Sequence, residues 1–146
     1  MSTVGLSLVA LVLSAANSLV AEIDARMSHV FPDIRPTHGF VFTRVAGAGA
    51  TIGQIATHLG VTKQAASQLV DELVAKGYVV KVPNPSDARS RVVTLTPRGE
   101  SATRAADIAA TEVISGWTET LGPDAVRRMR DDLARVVPPG RVRPTW

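Results

Sequence analysis

The chain has 146 residues, 45% of them apolar and only 4% aromatic, with no cysteine and a formal net charge of +3. That length fits one domain with a core built from Val, Leu, Ile and Ala. The missing cysteines exclude a disulfide scaffold, thiolate zinc sites and a thiol redox switch, and they fit a reducing cytoplasm.

The first 21 residues carry no charged side chain, and the first Lys or Arg is Arg26. Val4, Leu8, Leu11, Ala15, Leu19 and Ile23 recur three or four apart. This predicts a helix over about 4–28 with one apolar stripe, ending near Phe31-Pro32. A signal peptide would need a positive start, and Ser7, Ser14, Asn17 and Ser18 interrupt the apolar run. The stripe is therefore expected to pack against the body or a second subunit. A membrane or targeting segment is the alternative.

Pro36 at a first-turn position opens a second helix through Phe40, Val41, Phe42 and Val45, which Gly47-Ala48-Gly49-Ala50 ends. That Gly-Ala run lacks the Lys-Ser/Thr and the preceding strand of a phosphate loop. Thr51 and Gln54 have capping-box spacing before a short helix that buries Ile55, Ala56 and Leu59. Gly60-Val61 turns the chain. Thr62 caps the next helix, which runs to Lys76 and stops at Gly77. Two short helices joined by a three-residue turn form a helix-turn-helix pattern. Its second helix points Ala66, Leu69, Val70 and Leu73 inward, and Lys63, Gln64, Ser67, Gln68 and Asp71 outward.

Tyr78 to Val82 reads as a strand, Pro83 to Asp87 as a turn and Arg91 to Leu95 as the returning strand. Thr96 then caps a long helix with Pro97 at its first position and an apolar stripe of Ala102, Ala105, Ala109, Val113 and Trp117. Gly122-Pro123 starts a last helix carrying Val126, Met129, Leu133 and Val136. From Pro138 a loose tail is expected.

Readout in a DNA major groove requires short polar side chains near the N-terminus of one helix face, where the backbone can approach the bases. Thr62, Lys63, Gln64, Ser67 and Gln68 meet that requirement. Charge shifts in the same direction: residues 61–100 hold six Lys or Arg against four acids, whereas residues 1–60 hold three of each. The hairpin adds Arg89 and Arg91, which could enter a narrow minor groove. Asp87, two residues before Arg89, would aim the loop by pairing with an arginine or by turning the backbone.

These residues carry a family resemblance. Asp87-x-Arg89, Leu95-Thr96 and Gly99, with Val61-Thr62-Lys63-Gln64 and the stretch Leu69 to Val79 before them, resemble the MarR family of bacterial transcription regulators. Arg35-Pro36-Thr37-His38-Gly39 is similar to the opening of that family's second helix. The resemblance implies a mainly α fold with a small β-hairpin wing, a winged helix-turn-helix with flanking dimerisation helices. A single domain over 1–146 would divide into a DNA-binding lobe at about 36–96, dimerisation helices at 1–31 and 97–137, and a loose tail at 138–146. The implied function is a cytoplasmic homodimeric repressor on a pseudo-palindromic DNA operator. A small-molecule effector bound between dimer core and lobe would release it.

Arg26, His38 and Arg44 are candidates for an anion pocket. With three histidines and no cysteine, no metal site and no cofactor are expected. An enzyme is disfavoured because no nucleophile, acid–base pair or metal set converges. Two alternatives remain: a winged-helix protein-interaction module without DNA binding, and an N-terminally membrane-associated protein.

Overall fold

The computed structural model describes residues 3–138. Six helices run in chain order: α1 (Val4–Val30), α2 (Pro36–Val45), α3 (Ile52–Leu59), α4 (Lys63–Ala75), α5 (Pro97–Leu121) and α6 (Pro123–Val136). Between α4 and α5 lies an antiparallel hairpin of β1 (Val79–Pro83) and β2 (Arg91–Leu95), with Val79 opposite Leu95 and Pro83 opposite Arg91. Ala50 adds a bridge to the hairpin by exchanging two backbone hydrogen bonds with Val93.

Helix boundaries follow local chemistry. Thr51 Oγ1 accepts from the Gln54 N–H and Gln54 Oε1 accepts from the Thr51 N–H, a complete capping box. Thr62 Oγ1 caps α4 at Ala65 N–H, and Thr96 Oγ1 caps α5 at Gly99 N–H. The end of α4 is a Schellman closure: the Gly77 and Tyr78 N–H groups donate to the Val74 and Leu73 carbonyls. Gly77 makes it feasible with φ of +80°. This closure corrects the expected strand boundary. Tyr78 spends its N–H on α4, so pairing begins at Val79 and extends to Pro83.

The core joins both halves of the molecule. Val41, Phe42 and Val45 of α2, Ile55 and Leu59 of α3, Val70 and Leu73 of α4, and Val93 of β2 pack with Met27 of α1 and Ala102 of α5. The first turns of α1 behave differently. Leu6, Leu8, Val9, Leu11, Val12 and Leu13 are all exposed, with Leu6 at 80%. At 100° per residue they cover more than half the helix circumference, so the apolar surface is wider than the single expected stripe. Only the later residues, Ile23 and Met27, reach the core. Helix α6 likewise exposes Leu133 and Val136. The expected loose tail, residues 138–146, lies outside the described residues apart from Pro138.

Candidate nucleic-acid interface

Helices α3 and α4 meet across Gly60-Val61-Thr62, where the Val61 N–H returns to the Ala56 carbonyl. This closes the turn and fixes how α4 leaves it. Ala66, Val70 and Leu73 bury one face of α4. The opposite face opens to solvent at its N-terminal end: Thr62, Lys63, Gln64 and Gln68 are exposed and Ser67 is half-buried. The side chains of Lys63, Gln64 and Gln68 have no hydrogen-bond partner among the described residues. Asp71, further along, is held by Lys81 Nζ of β1 at 2.5 Å, which ties the hairpin to this helix.

The hairpin tip is shaped by nested side-chain turns. Asn84 Oδ1 accepts from Ser86 N–H, and Asp87 Oδ1 accepts from Arg89 N–H at 2.9 Å. The Asp87 carbonyl accepts from Ser90 N–H, and Asn84 Nδ2 donates to Ser90 Oγ. Of the two roles expected for Asp87, the structure shows the backbone turn; no ion pair to an arginine forms among the described residues. Arg89 is therefore presented outward, exposed and with its guanidinium unpaired among those residues. Arg91 differs, because its guanidinium reaches across the hairpin to the Lys81 carbonyl at 3.2 Å.

Behind this surface lies a polar network that sequence reasoning missed. Tyr78, fully buried, donates its hydroxyl to Asp33 Oδ1 at 2.5 Å. Arg98 donates to Tyr78 Oη at 2.9 Å and to Asp33 Oδ2 at 3.2 Å, with its guanidinium 4.5 Å from the centre of the Tyr78 ring. Lys76 Nζ joins the Asp33 carbonyl to Glu72 Oε1, and Arg35 binds Glu72 Oε2 at 2.6 Å. The Tyr78 hydrogen bond, with Arg98 and Lys76 nearby, holds the Asp33 carboxyl below its ordinary range. Glu72 is lowered chiefly by its bond from Lys76. Burial, then the Asp33 bond, raises Tyr78.

The three candidate pocket residues do not converge. Arg26 pairs with Glu112 of α5 at 3.2 Å and with Glu22 of its own helix. His38 is fully buried and accepts the Arg35 N–H on Nδ1 at 3.0 Å, which leaves Nε2 facing Glu72 at 3.5 Å. Burial pushes its pKa down, so the ring is neutral near pH 7. Arg44 is half-buried on α2. The cavity at the junction of α1, α2 and α5, about 460 Å³, is lined by none of the three. Helix faces explain the difference: Arg26 turns to α5 and His38 turns to Glu72, while Ile23, Phe40 and Ala106 face the cavity.

Known proteins share this geometry. Residues 33–90 match the model of the MarR family. Among solved structures, RV1404 from Mycobacterium tuberculosis is 24% identical with a TM-score of 0.77, covering 92% of this chain and 95% of its own. A point mutant of MarR from E. coli, solved with operator DNA, is 24% identical with a TM-score of 0.75, covering 93% and 97%. The transcriptional repressor CouR, bound to a 23-mer DNA duplex, is 26% identical with a TM-score of 0.75 and the same coverage. Among curated proteins, the LexA repressor of Deinococcus radiodurans is 38% identical over 73 residues, 49% of this chain and 33% of its own length. An uncharacterized protein of M. tuberculosis is 29% identical over 93 residues, 64% of this chain and 65% of its own. The chain thus spans a third to just under two thirds of these curated relatives. With the helix-turn-helix, the hairpin and the flanking helices in this order, the chain has the winged-helix fold of solved MarR-family regulators, and its residues 33–90 match that family's model.

Proposed function

We propose that this chain is a cytoplasmic, sequence-specific DNA-binding regulator that acts as a homodimer on a pseudo-palindromic operator. One observation carries the reading. Among the described residues, Lys63, Gln64 and Gln68 are exposed and unpartnered at the N-terminal end of α4, and the Lys81–Asp71 pair ties to that helix a hairpin whose Arg89 guanidinium is likewise unpaired. In this reading α4 enters the major groove, where Gln64 and Gln68 can pair bidentately with adenine. Thr62, Lys63 and Ser67 add phosphate or base contacts. The Asp87 turn presents Arg89 to the minor groove, and Arg91 braces the hairpin beside it. The operator and duplex DNA carried by the solved MarR and CouR structures support a DNA partner for this chain.

Residues 1–31 and 97–137 would form the dimer core. The uncovered apolar surface of α1 and α6 supports this, since such a patch on a water-soluble chain signals an interface. We further propose repression relieved by a small molecule in the α1–α2–α5 cavity, which spans the boundary between dimer core and DNA-binding lobe. Such a ligand acts only if it binds the DNA-incompetent spacing of the two lobes more tightly.

One observation favours a second reading: α1 is long and apolar enough to cross a membrane. Selection of genomic fragments by the native protein, together with fractionation of the untagged chain, tests both. Recovery from the soluble fraction with enrichment of a two-fold symmetric motif supports the regulator. Recovery only with membranes, or an unenriched fragment pool, overturns it.

A further inference from the structure

The chemistry of the α1–α2–α5 cavity points to a class of ligand. The inference rests on the reading of this cavity as an effector site. Its volume of about 460 Å³ is in the range of small-molecule pockets. Apart from a few polar groups, its walls are aliphatic or aromatic, with Phe40 and Phe42 among them.

Those polar groups are almost all acceptors. Asp24 of α1 and Asp107 of α5 line the cavity, and neither carboxylate has a hydrogen bond or ion pair among the described residues. The Thr43 and Thr103 hydroxyls donate to the Gly39 and Gly99 carbonyls one turn back, both at 2.9 Å. Each therefore offers the cavity only its oxygen lone pairs. The single cation on the wall among the described residues, Arg35, holds Glu72 Oε2 at 2.6 Å. No lysine, histidine, tyrosine or tryptophan among them lines the space.

We propose that this cavity binds a lipophilic cation, an ammonium or amidinium group on an aromatic or aliphatic body. The cationic N–H groups would meet Asp24 and Asp107, and the body would fill the apolar walls. Phenyl faces also attract a cation. An aromatic carboxylate of the same shape would bring a third negative charge beside two carboxylates unpaired among the described residues, while the cation on the wall, Arg35, already holds Glu72.

The test is isothermal titration of the full chain at pH 7 and low salt with three shape-matched probes: 1-naphthylmethylammonium, 1-naphthalenemethanol and 1-naphthoate. The ammonium is expected to bind at least about tenfold more tightly than the carboxylate, the equivalent of about 1.4 kcal/mol. Asp24→Asn and Asp107→Asn should each weaken the ammonium by roughly three- to tenfold, in line with partly exposed ion pairs, and leave the alcohol unchanged. Ala110→Phe, which fills the cavity, should abolish binding of all three. Equal or tighter binding of naphthoate overturns the proposal. So does an ammonium affinity unaltered in the folded double aspartate variant, or no binding of any probe. DNA affinity is measured alongside. An ammonium that binds as described but leaves DNA affinity unchanged sinks the release mechanism and leaves the site's chemistry standing.

Discussion

Replacing Gly99 by alanine sets two opposed effects against each other. Gly99 lies in the first turn of α5, and helix propensity alone makes alanine about 1 kcal/mol better than glycine. The structure opposes this. A β-carbon at Gly99 would collide with the Tyr78 carbonyl oxygen and come within 3.1 Å of Leu95 Cδ2. The first obstacle is backbone, so no rotamer change relieves it. Moving α5 away would stretch two hydrogen bonds that join it to the lobe, Thr96 N–H to the Tyr78 carbonyl at 3.0 Å and Thr96 Oγ1 to the Gly77 carbonyl at 2.6 Å. Each contributes about 1 kcal/mol, and overpacking adds roughly 1–3 kcal/mol. After the propensity gain, the net destabilisation is about 2–4 kcal/mol. For a domain of this size that lowers Tm by roughly 6–12 °C. Urea and thermal unfolding of wild type and Gly99→Ala at matched protein concentration measure it. A variant as stable as wild type, or more stable, would refute the close approach of α5 to Tyr78.

Three further outcomes follow from named residues. His38 has a lowered pKa in the fold, whereas in the unfolded chain it takes up a proton near its ordinary value of about 6.5. The unfolded state then binds more protons, so stability is full above that pH and falls as pH drops from it towards the folded value. Urea midpoints at pH 7.5 and 5.5 should converge in His38→Gln relative to wild type; parallel losses would place the acid sensitivity elsewhere. Arg89→Ala should weaken specific and random DNA alike and leave the oligomer unchanged, whereas Gln64→Ala or Gln68→Ala should reduce discrimination by about 1–3 kcal/mol. Anisotropy titrations on both DNAs separate the two, and equal losses in the Gln variants would contradict base contact. Leu11→Asp places a charge in the uncovered part of α1 and should dissociate or unfold the dimer; an intact dimer by sedimentation would remove α1 from the interface.

The parts of the fold legible in the sequence are those set by near neighbours. Thr51 and Gln54, Thr62, and Thr96 with Pro97 announce helix starts because their partners lie three residues away. The same holds at the hairpin tip, where Asp87 and Arg89 are two apart. Tyr78 marks the limit. Its aromatic, β-rich surroundings suggest a strand, yet its position is decided by Leu73 on one side and by Asp33 and Arg98, 45 and 20 residues away, on the other. No spacing rule connects those three residues. The surroundings of the anion-pocket candidates were hidden for a related reason. Residue type picked out Arg26 and His38, but only packing, of α1 against α5 and of α2 against α4, decides that each faces a glutamate. The two aspartates that do line the cavity carry no distinguishing local pattern.

The most direct test of the account is the salt dependence of DNA affinity on a fragment recovered by genomic selection. If Lys63 meets phosphate and Arg89 enters the negative potential of the minor groove as proposed, both displace counterions, and log K should fall linearly with log salt concentration, with a slope of about −0.9 for each phosphate charge neutralised. Arg89→Ala should make that slope shallower by about one for each subunit. A flat salt dependence, or a slope identical in Arg89→Ala, would contradict the assignment of α4 and the hairpin as the DNA-binding surface.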